Sequence, residues 1–153
     1  MCNTRTTVFI GLALSVLGAL GSVSAKDSST PLELAARVPI GELRNPYAGE
    51  AGAAQEGHKL YMSFDCSSCH GGGGGGGMAA PLTNPIWIYG KDDDTLFRLI
   101  ALGTVELQKQ GYRRKGSEFV VGPMPPFGET IKTDDDLWKI IAWIRSVNPA
   151  SEQ

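Results

Sequence analysis

The feature that most constrains this chain is the five-residue run Cys66-Ser67-Ser68-Cys69-His70. Two cysteines separated by two residues, with a histidine directly after the second, have the spacing by which two thiols add across the vinyl groups of haem while the imidazole reaches the iron. The competing uses of such a run each lack something. A thioredoxin-like redox pair needs a strand and helix in a parallel-sheet setting, and no sheet pattern surrounds it. A zinc site needs four ligands, and the two thiols, His70 and a remote His58 make an awkward set. A disulfide closed across two residues is strained. Covalent haem attachment consumes both thiols and leaves no remainder.

That remainder is counted outside the cytoplasm. Arg5 followed by the apolar residues 8–20 and by Val23-Ser24-Ala25 reads as a secretory signal, residues 1–25, cut after Ala25. The apolar run is shorter than the roughly 20 residues of a membrane span, so a cleaved leader is expected, with a retained anchor as the alternative. Of the three cysteines, Cys2 leaves with the signal, and Cys66 and Cys69 are then the only thiols in an oxidising compartment. The expected location is the periplasm. A 153-residue chain with a formal charge of −2 suits one small soluble domain, a monomer, and makes nucleic acid a poor partner.

Residues 26–49 carry Pro31, Pro39 and Pro46 and one short apolar stretch, and read as an extended arm that wraps or trails. Residues 50–149 form the expected domain. In residues 50–64, Ala51, Ala54, Gly57, His58, Leu60, Tyr61 and Phe64 recur at helical spacing, and this helix runs into Cys66. Residues 71–77 are seven glycines, with no Gly-Lys-Ser/Thr sequence after them to make a phosphate loop, so they read as a flexible loop. Asp92 to Asp94 open a second helix that Gly103 ends. Thr133 to Asp136 open a third, with Leu137, Ile140, Ile141 and Ile144 on its buried face and Pro149 stopping it. Three helices and no alternating strand pattern place the chain in the all-α class.

Gly57-x-x-x-Tyr61 ahead of the haem motif, a Pro-Leu pair soon after, a late methionine and a final helix bearing Trp143 together resemble class I cytochrome c over about residues 50–148. The resemblance implies a small fold of three or more helices around one covalently bound haem c, with Cys66 and Cys69 as thioether residues and His70 as proximal iron ligand. It also implies that the first and last helices cross at Gly57, closed by Tyr61 and Trp143. Pro81 is the residue it offers to accept a hydrogen bond from His70 through its carbonyl. The family's second axial ligand is a methionine, since thioether ligation raises the potential. Met124 fits best, because Gly122-Pro123-Met124-Pro125-Pro126 stiffens the backbone around it. Met78 is the alternative, while Met62 and His58 lie on the helix that leads into the motif.

Trp87, Tyr89 and Arg98 are candidate contacts to the haem edge or propionates, with core packing as the plainer alternative. Tyr112-Arg113-Arg114-Lys115-Gly116 is either a docking patch or a solvated loop. The function expected is one-electron carriage with no catalytic residues. The glycine run and the arm are similar to cytochromes that accept electrons from quinoprotein (PQQ) alcohol dehydrogenases, which implies such a donor and an oxidase or another cytochrome as acceptor. Two alternatives stay open. One is a haem enzyme or gas sensor with a labile sixth ligand, the other a haem subunit fixed to a larger dehydrogenase or oxidase through the arm.

Overall fold

The computed structural model describes residues 29–148, so the expected signal lies outside the described residues. Five helices follow in order: α1 (Pro31–Arg37), α2 (Ala51–Ser63), α3 (Ser67–His70), α4 (Asp93–Lys109) and α5 (Asp134–Val147). Among the described residues there is no strand, as expected of an all-α chain. None of these helices is long and apolar enough to cross a membrane.

The helix starts follow from their capping residues. Asp92 accepts a hydrogen bond from the Thr95 amide at the head of α4, and Thr133 accepts one from Asp136 at the head of α5. Behind both caps the acidic first turn lies where the helix dipole favours negative charge. On α2 the buried row is Ala53, Gly57 and Tyr61, residues four apart that share one face. That row meets α5. A Cβ at Gly57 would stand 1.9 Å from the Lys139 carbonyl oxygen, so the backbones of α2 and α5 approach more closely than any side chain allows. Beside the contact, the rings of Tyr61 and Trp143 are 4.1 Å apart, and His58 stacks on Trp143 at 4.8 Å. The residues implied for this helix crossing therefore meet at it.

Two helices escaped the periodicity reading. Within the segment expected as an extended arm, α1 is set by a capping box: Thr30 and Glu33 exchange side-chain and backbone hydrogen bonds, and Pro31 occupies the first turn. Leu34 and Ala35 then bury against the core. The arm wraps. Buried Arg98 donates to the carbonyls of Ala35, Val38 and Pro39 while its Nε pairs with Asp94 at 3.0 Å. Asp94 also accepts from the Leu43 amide and the Tyr112 hydroxyl, and Asn45 donates to the Trp138 carbonyl. The other unexpected helix, α3, is the single turn that carries the haem motif, too short to show a period.

Gly103 also acts differently from expectation. Rather than ending α4, it breaks it, taking φ 73° before helix resumes to Lys109. The break leaves Thr104 without its usual acceptor four residues back, and its amide turns to the Met124 carbonyl at 2.9 Å. The carbonyls of Ile100 and Ala101 accept instead from the amides of Phe127 and Gly128. A Cβ at Gly103 would lie 2.7 Å from the Pro126 nitrogen, so the residue is small as well as left-handed. By this exchange the loop around residue 124 is fastened to the kink.

Candidate haem-binding site

α2 is capped by Phe64, and Asp65 takes the left-handed conformation (φ 59°), which an aspartate tolerates better than most residues. This turn delivers Cys66, Cys69 and His70 to the lining of a cavity of about 450 Å³. Leu99, Met124 and Phe127 line the same cavity, whose surface is mostly apolar. Volume and character fit a cofactor pocket, commonly ~300–1,000 Å³ and predominantly hydrophobic.

Both cysteines carry free thiols. Burial, with smaller contributions from Asp65 and Cys69, pushes the Cys66 thiol up to about 11. Burial lowers the His70 pKa, against the opposing pull of the Ala80 carbonyl, which favours the neutral form of the ring that binds metal. His70 Nδ1 lies 2.9 Å from the Ala80 carbonyl oxygen and donates to it, which leaves Nε2 free for iron. This corrects the expectation for Pro81, whose carbonyl is not the acceptor. The Pro81 ring packs over the glycine loop, 3.0 Å from where a Gly76 Cβ would stand. Its effect is indirect: a residue preceding proline is held extended, and here that residue, Ala80, presents its carbonyl.

Met124 is half-buried against the core. Its amide donates to the Thr104 hydroxyl at 3.0 Å and its carbonyl accepts from the Thr104 amide at 2.9 Å. Met78 lines the same cavity but is 53% exposed, and only its carbonyl is engaged, by the Val121 amide. Met62 is exposed on α2 and is not among the lining residues. Neither is His58, whose Nε2 is hydrogen-bonded to the Gly72 carbonyl.

The glycine run is held more firmly than a flexible loop. Gly76 donates to the His70 carbonyl, Leu82 to that of Gly74 and Ala79 to that of Cys69, while the Tyr61 hydroxyl donates to the Gly71 carbonyl. Among the softer candidates, Arg98 is not among the cavity-lining residues, its guanidinium being spent on Asp94 and the carbonyls of Ala35, Val38 and Pro39. Tyr89 does line the cavity, its hydroxyl accepting from Gln108. Trp87 Nε1 is buried without a partner among the described residues. Ala80, Thr104 and Gln108 also belong to the site, though nothing in the motifs singles them out. Only Thr104 carried a signal, a hydroxyl beside a glycine inside a helical pattern.

A sequence profile of the family described as Cytochrome c matches residues 54–148. The chain belongs to the cytochrome c family. The matched span runs from α2 through α5 and contains every candidate ligand. Among solved structures, this cytochrome c is similar to cytochrome cL from Hyphomicrobium denitrificans, at 31% identity and a TM-score of 0.52 over 69% of this chain and 53% of that one. It is also similar to cytochrome cL from the marine methylotrophic bacterium Methylophaga aminisulfidivorans MPT, at 28% identity and a TM-score of 0.51 over 69% of this chain and 59% of the other. The chain thus spans a little over half the length of these structures. A search of curated proteins found no match.

Membership in the family means a covalently bound haem c, and the residues present fit that group. Two unpaired thiols sit at the attachment spacing, an imidazole has one nitrogen engaged by a carbonyl and the other free, and a methionine is pinned in the same apolar cavity. A buried indole N–H with no acceptor costs about 1–3 kcal/mol. Trp87 carries such an N–H, and it is not itself among the residues lining the cavity, although the next two, Ile88 and Tyr89, are.

Proposed function

We propose that Cys66 and Cys69 hold haem c through thioether bonds, that His70 and Met124 are its axial ligands, and that the protein is a periplasmic one-electron carrier. The observation that carries this reading is a single apolar cavity lined both by the haem motif and by a methionine whose backbone is fixed at two atoms. When bound, haem c supplies a one-electron iron couple whose potential a methionine ligand raises. The chain's part is to hold both ligands still, keep water from the apolar face and leave no place for substrate.

Export to the periplasm rests on the signal-like residues 1–25, and the division into an arm, residues 26–49, and a domain, residues 50–149, is proposed on the same sequence grounds. The donor we favour is a quinoprotein alcohol dehydrogenase, on the resemblance drawn from the sequence and the similarity to two cytochromes cL. A respiratory oxidase or another cytochrome is the acceptor. The alternative of a subunit tethered through its arm is disfavoured, since Arg98 and Asn45 engage that segment on the chain's own core.

Partner contact is proposed at the cavity mouth. Arg113, Arg114 and Lys115 are exposed, and Arg114 of the three lines the cavity. Phe119 and Val121, 80% and 67% exposed, are the most exposed large hydrophobic residues described, and Val121 is hydrogen-bonded to half-exposed Met78. An apolar patch flanked by cations suits brief docking of an acidic protein face.

The test is to express the exported protein with haem-attachment machinery, extract it with acid and mix it with a reduced quinoprotein alcohol dehydrogenase in stopped flow. Retained haem and rapid, saturable reduction support the proposal. Haem lost to extraction contradicts the thioether assignment, and attached haem that the dehydrogenase does not reduce contradicts the donor.

A further inference from the structure

The kink in α4 exposes a device that the ligand assignment does not use. In an unbroken helix the Thr104 amide would donate to the Ile100 carbonyl. Gly103 removes that option, and Thr104 instead holds both backbone polar groups of Met124, its amide giving to the carbonyl and its hydroxyl taking from the amide. Among the described residues, the Thr104 hydroxyl is the side-chain group hydrogen-bonded to the Met124 backbone. The prolines at 123 and 125 restrict rotation about their own bonds, but they cannot fix where the segment sits relative to α4. That placement comes from Thr104 and from the neighbouring bonds of Phe127 and Gly128 to Ile100 and Ala101.

We propose that Thr104 is a positioning residue for the sixth iron ligand, its hydroxyl being the acceptor that keeps Met124 at the iron. This inference rests on Met124 being that ligand. Valine has the shape of threonine without the acceptor, so Thr104→Val leaves the Met124 amide unsatisfied beside an apolar methyl group. Detachment of the methionine relieves this by letting the amide reach water. The cost of an unmade, partly buried hydrogen bond corresponds to a rise in the detached population on the order of 10-fold.

The experiment compares wild type, Thr104→Val, Thr104→Ser and Met124→Ala as holoproteins. Two signals are read: the weak near-infrared band of ferric iron bonded to methionine sulfur, and carbon monoxide binding to the ferrous form. Thr104→Val should weaken the band and bind carbon monoxide on the order of 10-fold faster than wild type, and Thr104→Ser should restore both. A threonine that only stabilised the turn after the kink would lower the melting temperature while leaving both signals at wild-type values, and that result overturns the inference. Met124→Ala separates the premises: if it keeps the band, the ligand assignment itself is wrong, whereas loss of the band there with no change in Thr104→Val rejects the role of Thr104 alone.

Discussion

Met124 and Met78 face one cavity, and what separates them is constraint. The first is half-buried with its amide and carbonyl both engaged, the second half-exposed with its carbonyl alone engaged. Met124→Ala is expected to abolish the sulfur–iron band and lower the reduction potential, and Met78→Ala to change neither, as read by near-infrared absorption and potentiometric titration. Gly57 is constrained differently, by a carbonyl where a Cβ would sit. Gly57→Ala must push α2 and α5 apart, and thermal unfolding should show a loss of about 3 kcal/mol, the upper end for overpacking. At this scale the residues whose type is fixed by chemistry, the thiols, the histidine and the proline-flanked methionine, are ones that the structure brings to one cavity. Pro81 missed by one position because a backbone carbonyl leaves no mark on residue type. Any residue before the proline would have presented it.

The elements divide into those built by periodicity and those built by local hydrogen bonds. α2, α4 and α5 have long buried faces and showed in the sequence. α1 did not, being only seven residues long, although Thr30 and Glu33 spell its cap. What holds α1 in place is Arg98, a buried cation satisfied by Asp94 and three carbonyls. Such a long-range cluster cannot be seen from spacing. Arg98→Met removes one side of a buried pair and should destabilise the fold by about 3–5 kcal/mol in denaturant titrations. Burial alone would raise the Asp94 pKa, but hydrogen bonds from Tyr112 and Arg98 outweigh it and hold the carboxyl below its usual range. Its folded pKa is thus below the unfolded value of roughly 3.9. The stability it contributes is full above that value and is lost as pH falls through the folded pKa. Acid unfolding of wild type should therefore steepen below about pH 4, and Asp94→Asn, less stable at neutral pH, should lack that part of the slope.

The whole chain carries a formal charge of −2, while Arg114 and exposed Val121 line its cavity, and this contrast bears on the proposed encounter with partners. Charge reversal by Arg113→Glu and Lys115→Glu should slow reduction by an acidic partner several-fold at low ionic strength, with the difference fading at high salt as screening shortens to about 3 Å at 1 M. Equal slowing at all salt concentrations would mean that the residues act on structure and not on encounter. The proposed function turns on one haem, attached at Cys66 and Cys69 and ligated by His70 and Met124. The optical spectrum of the exported protein, oxidised and reduced and extended into the near infrared after acid extraction, tests it most directly. Retained haem with the methionine–iron band is the predicted result. Retained haem without that band, together with carbon monoxide binding under native conditions, would contradict the ligand assignment and place an open iron site where the account puts Met124.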